Sequence, residues 1–186
     1  MKQKYSLSIL FLFFLFFLSC SKKGLEQEIK SLYNSVVYVP MDSMVYLSTK
    51  TYNSVYEHAE YIYIMYVDST SCGDCAIKHL SDWSILDTTE MCNNERFKYL
   101  FVISPKRNQY KNILKKVKED VYFNEFTFVD TLGVFERANP NLPQNKLLHT
   151  FMITKDGRVK LVGNPITNPQ IGSMLLEILS SSGNQR

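Results

Sequence analysis

The chain has 186 residues, with 21 Lys and Arg against 18 Asp and Glu, a formal net charge of +3. So near a balance gives no support for nucleic-acid binding. With 45% hydrophobic and 13% aromatic residues, the composition excludes a disordered chain.

The first nineteen residues are read apart from the fold. Lys2 and Lys4 give a positive start, and Leu7 to Leu18 is almost wholly Leu, Ile and Phe. Twelve residues at about 1.5 Å each fall well short of a hydrocarbon core roughly 30 Å thick. The run therefore reads as the apolar region of a secretory signal over 1–19. It closes on Ser19-Cys20, preceded by Phe17 and Leu18. That ending resembles a bacterial lipobox, which implies cleavage before Cys20, lipidation of Cys20 and a membrane anchor. Ordinary secretion with Cys20 as a spare cysteine is the plainer alternative. Ser21 is not an acidic retention residue, so an outer-membrane address fits. Loss of Lys2 and Lys4 would leave 19 basic and 18 acidic residues, a charge of +1.

Residues 20–58 form an anchor and lead-in segment. Leu25, Ile29, Leu32 and Val36 recur at helical spacing, which predicts a short amphipathic helix. Met44 to Leu47 is a candidate strand. A domain over 59–180 follows, with a polar tail at 181–186. Tyr61 to Val67 is an unbroken apolar run, as in a strand covered on both faces. Asp68-Ser69-Thr70-Ser71 leads into Cys72-Gly73-Asp74-Cys75. Ala76, Ile77, Leu80 and Trp83 share a helical face, predicting one helix from about Cys72 to Leu86. Tyr99 to Ile103 is a second strand. Tyr110, Ile113, Leu114 and Val117 mark a second helix. Its Lys111, Lys115, Lys116 and Lys118 read as a solvated face.

Phe126 to Val129 is a third strand, and a loop then runs to about Lys146. His149 to Thr154 and Val159 to Val162 flank Asp156-Gly157, a pair suited to a tight hairpin turn. Asn168-Pro169 caps a final helix whose apolar face is Ile171, Met174, Leu175, Ile178 and Leu179.

Strand, helix, strand, helix, hairpin and helix in this order, with Cys-x-x-Cys between the first strand and helix, resembles the thioredoxin superfamily. In detail the chain is similar to its membrane-anchored, TlpA-like thiol-disulfide oxidoreductases, over about Tyr61 to Leu179. The resemblance implies an α/β fold with a central mixed sheet and helices on both faces. It implies no cofactor beyond a redox-active Cys72–Cys75 disulfide. The partners implied are protein thiols and disulfides, including a membrane or periplasmic redox partner, at an extracytoplasmic, periplasm-facing location.

Cys72, at the opening of a helix, is the expected nucleophile, because unpaired N–H groups and the helix dipole favour a thiolate there. Cys75, a turn further in and covered by the helix, is the expected resolving thiol. Gly73, Asp74, Leu148 and His149 are placed by the resemblance at the substrate groove. Asp74 puts a negative charge beside the sulfurs, which leans the pair towards a reducing or isomerising role.

The chain departs from the family pattern at three positions. Ser71 stands where an aromatic residue is usual, Tyr66 where a buried acid is frequent, and Leu148 where a cis-proline is expected. A non-proline cis bond costs about 2.5–4 kcal/mol, so Leu148 is expected to be trans. Two rival readings stay open. One is copper binding or delivery through Cys72, Cys75 and His149; the other is a redox-inactive binding lipoprotein. His79 reads as a surface residue. Cys92, outside the motif, reads as an ordinary buried cysteine.

Overall fold

The computed structural model describes residues 24–86, 96–120 and 126–181. Cys20, the leader before it and Cys92 lie outside them, so the readings made for those residues are not addressed by the structure.

Six strands form one sheet in the order β1-β4-β3-β2-β5-β6. They are β1 (Val45–Tyr46), β2 (Tyr61–Val67), β3 (Phe97–Ile103), β4 (Thr127–Val129), β5 (Thr150–Thr154) and β6 (Val159–Val162). The three central strands β4, β3 and β2 are parallel. β1 is antiparallel to β4, β5 to β2, and β6 to β5. Parallel neighbours need a crossover. The chain supplies α3 (Gly73–Lys78) between β2 and β3, and α4 (Tyr110–Glu119) between β3 and β4.

Successive side chains of a strand point to opposite faces, and both faces here are apolar. On one, Ile64, Tyr66, Leu100 and Val102 pack with Leu32 of α1 (24–33), Tyr56 of α2 (Tyr52–Tyr56) and Phe135 of α5 (Val134–Ala138). On the other, Tyr63, Phe101 and Met152 meet Leu80 and Trp83, with Leu175 and Leu179 of α6 (Pro169–Ser181). Val67, Ile103 and Val129 continue that second face beneath Ile113 and Val117 of α4. Helices therefore cover both faces of a mixed sheet, and the architecture is the thioredoxin-like α/β fold that the element order implies.

Trp83 anchors the second face. Its ring lies 5.7 Å from Tyr63, 5.7 Å from Tyr99 and 5.5 Å from Phe101, tilted or edge-on in each case. Such pairs add about 0.5–1.5 kcal/mol beyond the area they bury.

Several local expectations change. The helix after the cysteines is not continuous: α3 ends at Lys78 and a 3-10 stretch, Leu80–Leu86, carries the chain on. Leu80 and Trp83 are drawn into the aromatic cluster by that tighter winding. The first helix stops at residue 33, and Val36 is instead exposed in a β-bridge to Arg158. α2 and α5 occupy segments that carried no strong period, since helices of five residues are too short to show one. At the hairpin only Gly157 adopts a positive φ, of 82°, while Asp156 does not. The Asn168 cap is found: its Oδ1 accepts from the Gln170 N–H at 3.0 Å and α6 starts at Pro169. The helix runs on to Ser181, one residue into the polar tail expected over 181–186.

Candidate functional site

β2 lies in the middle of the sheet, and its C-terminal end leads through residues 68–71 to the cysteines. Cys72 is the N-cap of α3, in extended conformation, and its Sγ accepts the Cys75 N–H at 3.2 Å. Sulfur therefore occupies the place of the oxygen that normally caps a helix. Cys72 and Cys75 are joined as a disulfide with their Cα atoms 5.2 Å apart. Both residues are exposed. Cys75 was expected to be covered by its own helix. It is open because α3 is a short helix at the surface, with only Gly73 of its residues buried.

Gly73 lies under α4. A Cβ there would come within 3.0 Å of Ile113 Cδ1 and 3.6 Å of Ile103 Cγ2, so the absence of a side chain lets α3 sit close to α4. Asp74 reaches the same helix: Asn112 Nδ2 donates to it at 3.0 Å and Lys116 Nζ lies at 2.9 Å. The acid beside the sulfurs is thus already partnered. Lys116, read from sequence as part of a solvated face, is a counter-charge to the motif.

The loop between β2 and Cys72 is organised by Asp68. Its Oδ1 accepts from the Thr70 N–H at 2.8 Å, the Thr70 hydroxyl at 2.7 Å and the Ser71 hydroxyl at 3.0 Å. Lys146 Nζ adds an ion pair at 3.2 Å. Burial by itself would push this carboxyl up, but the hydrogen bonds from Thr70, Lys146 and Ser71 outweigh it and hold it down at about 2. Tyr66, the residue at the family's acid position, is buried, and burial pushes its phenol well above the usual range.

On the far side of this loop, the 3-10 turn Lys146–Leu148 leads into β5. Leu148 is buried at 6% exposure, whereas Leu147 stands 80% exposed. The side chain assigned to the groove is therefore part of the core, and its neighbour is the exposed one. No cis peptide bond occurs among the described residues, so Leu148 is trans. His149 is buried too; its Nε2 donates to the Pro143 carbonyl at 2.8 Å and its ring lies 5.2 Å from that of Tyr66. A cavity of about 590 Å³ opens beside it, lined by Tyr66, Asp68, Glu136, Arg137, Lys146 and His149 among others.

Among the described residues no group of three His, Cys, Asp or Glu side chains is placed to hold a metal ion. The set Cys72, Cys75 and His149 is not brought together as such a group, and the two sulfurs are bonded to each other. His79 is exposed and paired with Asp82 at 2.9 Å. Among the described residues no helix is long and apolar enough to cross a membrane.

Asp68, Lys146 and Asn112 have no place in the site expected from sequence, and Lys116 reads there only as part of a solvated face. Asp68 had a signal: Asp-Ser-Thr-Ser before a helix is a side-chain-bonded turn. The others act across long stretches of chain and carry no local sign.

No family model and no curated protein matches the chain. Among solved structures it is similar to the pneumococcal exposed lipoprotein thioredoxin of Streptococcus pneumoniae. The two are 17% identical, over 68% of this chain and 89% of that one, with a TM-score of 0.42. The fold assignment rests on strand order and direction.

Proposed function

We propose that the chain is an extracytoplasmic, lipid-anchored thiol-disulfide oxidoreductase that exchanges electrons with other proteins through Cys72 and Cys75. The observation that carries the reading is the exposed disulfide at the first turn of α3, with the Cys75 N–H directed at Cys72 Sγ. A donor in that position favours the charged form of the outer sulfur once the pair is reduced. The short apolar run ending in Ser19-Cys20 supports the anchor.

In the reducing direction, the Cys72 thiolate attacks one sulfur of a partner disulfide. The partner S–S bond breaks, a mixed disulfide forms, and the second partner sulfur leaves as a thiolate and takes a proton from solvent. Cys75 loses its proton and attacks Cys72 Sγ, releasing the first partner sulfur, which is protonated in turn. The partner gains two electrons and the Cys72–Cys75 pair loses two. Reversal of the same steps oxidises a partner.

Insulin reduction by the reduced, metal-free protein tests the activity. Turnover is the expected result, and a chain that never turns over while holding its disulfide would instead be the redox-inactive binding protein. Cys75→Ser should accumulate mixed disulfides on Cys72 and Cys72→Ser should not; the opposite pattern reverses the two roles. Membrane fractionation of Cys20→Ala tests the anchor separately.

A further inference from the structure

Lys146 is remote in sequence from the cysteine motif, yet its Nζ reaches three oxygens of the loop that carries Cys72. These are Asp68 Oδ1 at 3.2 Å, Ser71 Oγ at 3.2 Å and Thr70 Oγ1. The three acceptors span the loop from the end of β2 to the residue beside the outer sulfur. One side chain thus ties the redox loop to the turn that precedes β5.

Across the adjoining cavity, Glu136 and Arg137 of α5 face the same side as Asp68, and Glu136 accepts the Tyr66 hydroxyl at 3.3 Å. Asp68 is 12% exposed, and Lys146 lies on its Oδ1. His149 Nδ1 stands 3.8 Å from Oδ2, too far for a hydrogen bond. His149 Nε2 is taken up by the Pro143 carbonyl, and Lys146 is the permanent cation on Asp68. Tyr66 faces Asp68 with an un-ionised phenol. On the other side of the disulfide, Asp74 is matched by Lys116 from α4. Asp68 and Asp74 therefore each have one lysine, supplied by a different element.

Resting on the reading of Cys72 as the attacking sulfur, we propose that Lys146 and Asp68 are a positioning pair for it. Lys146 clamps residues 68–71 and cancels the Asp68 charge, and the balance between the two sets how readily the outer sulfur becomes a thiolate. Neither residue touches the reacting atoms. Remove the cation, and an uncompensated carboxylate four residues before Cys72 disfavours the thiolate. Remove the anion, and an uncompensated ammonium favours it.

The test is the pH dependence of iodoacetamide alkylation in a Cys75→Ser background, read at the Cys72 peptide by mass spectrometry. Lys146→Met should raise the midpoint by roughly 0.5 unit, about a threefold loss of thiolate below it, and Asp68→Asn should lower it by a similar amount. Lys146→Arg, which keeps the charge, should stay near the parent. Lys146 is a half-exposed surface residue, so its variants keep the fold intact for the comparison. A merely structural role would move Lys146→Met and Asp68→Asn the same way. Shifts of the same sign, no shift in either, or Lys146→Arg behaving as Lys146→Met overturns the proposal. Alkylation needs no partner protein, so its outcome is independent of insulin turnover, and failure of one reading is told from failure of the other.

Discussion

Lys116 Nζ lies 2.9 Å from Asp74 Oδ1, joining the second residue of α3 to α4 across the narrow gap that Gly73 permits. The reduced protein carries a thiolate near Asp74 and the oxidised protein does not, so charge at this place weighs on the reduced form alone. Lys116→Gln uncovers the carboxylate and should lower the reduction potential. Asp74→Asn should raise it. For a two-electron couple a tenfold change is about 30 mV, and a half-exposed pair should give roughly half of that in each direction. Equilibration with glutathione, read by thiol trapping, checks both signs; two shifts of one sign would remove the electrostatic account.

Asp68 gives a pH dependence of stability with a definite sign. Its folded value, about 2, lies below the ordinary 3.8. Between those values the unfolded chain binds a proton that the folded chain does not, so stability falls as pH falls through the window. The contribution is fully present above about pH 4 and is of order 1–2 kcal/mol after allowance for the solvent-exposed lysine partner. Urea unfolding of the wild type and Asp68→Asn at pH 6 and pH 2.5 measures it. The gap between the two proteins should shrink at the lower pH, and a gap that stays constant would show that ionisation of Asp68 contributes nothing.

Much of the fold is legible in the chain because its long strands and helices carry their own periods. Tyr61–Val67 is buried from both sides and reads as an apolar run; α4 and α6 show an apolar face. The cysteine pair is legible for the same reason, since strand end, motif and helix start are contiguous. What surrounds the pair is not. Lys146 and Lys116 owe their roles to distances set by the sheet order, and no local pattern separates them from other surface lysines. Leu147 and Leu148 are indistinguishable by type, yet one is exposed and the other buried because a 3-10 turn fixes which of them faces inward. The continuous helix expected over 72–86 failed because an apolar period of three to four residues fits an α-helix and a 3-10 helix alike.

Gly157 is held by the lead-in segment. Its carbonyl accepts the Val37 N–H at 2.8 Å, its φ is positive, and a Cβ would fall 2.5 Å from the Val37 carbonyl oxygen. Gly157→Ala meets both the backbone penalty and that clash, and the clash is with main chain that cannot rotate away. A loss of more than about 1 kcal/mol is expected, with faster proteolytic cleavage near Val37. Unchanged unfolding and cleavage would mean that the lead-in is not packed against the hairpin in solution.

Asn139 makes the second clasp on the lead-in. Its Oδ1 accepts the Tyr38 N–H at 2.8 Å, while Nδ2 donates to the Tyr38 carbonyl and to the Phe135 carbonyl, each at 2.8 Å. The residue is buried, so every one of these groups loses its partner when the amide is removed. Asn139→Ala should cost about 1–3 kcal/mol, the range for a buried polar group left unsatisfied. Asn139→Asp separates the two halves of the clasp. At pH 7 the carboxylate keeps the acceptor for the Tyr38 N–H but turns a charged oxygen on two carbonyls, so it should be at least as damaging as alanine. Once protonated it regains one donor. Relative to wild type at the same pH, Asn139→Asp should therefore recover part of its loss between pH 7 and pH 4.5, and Asn139→Ala should not. Urea midpoints at the two pH values decide it: a deficit in Asn139→Asp that does not change with pH would show that the donated hydrogen bonds are not what holds Tyr38 to α5.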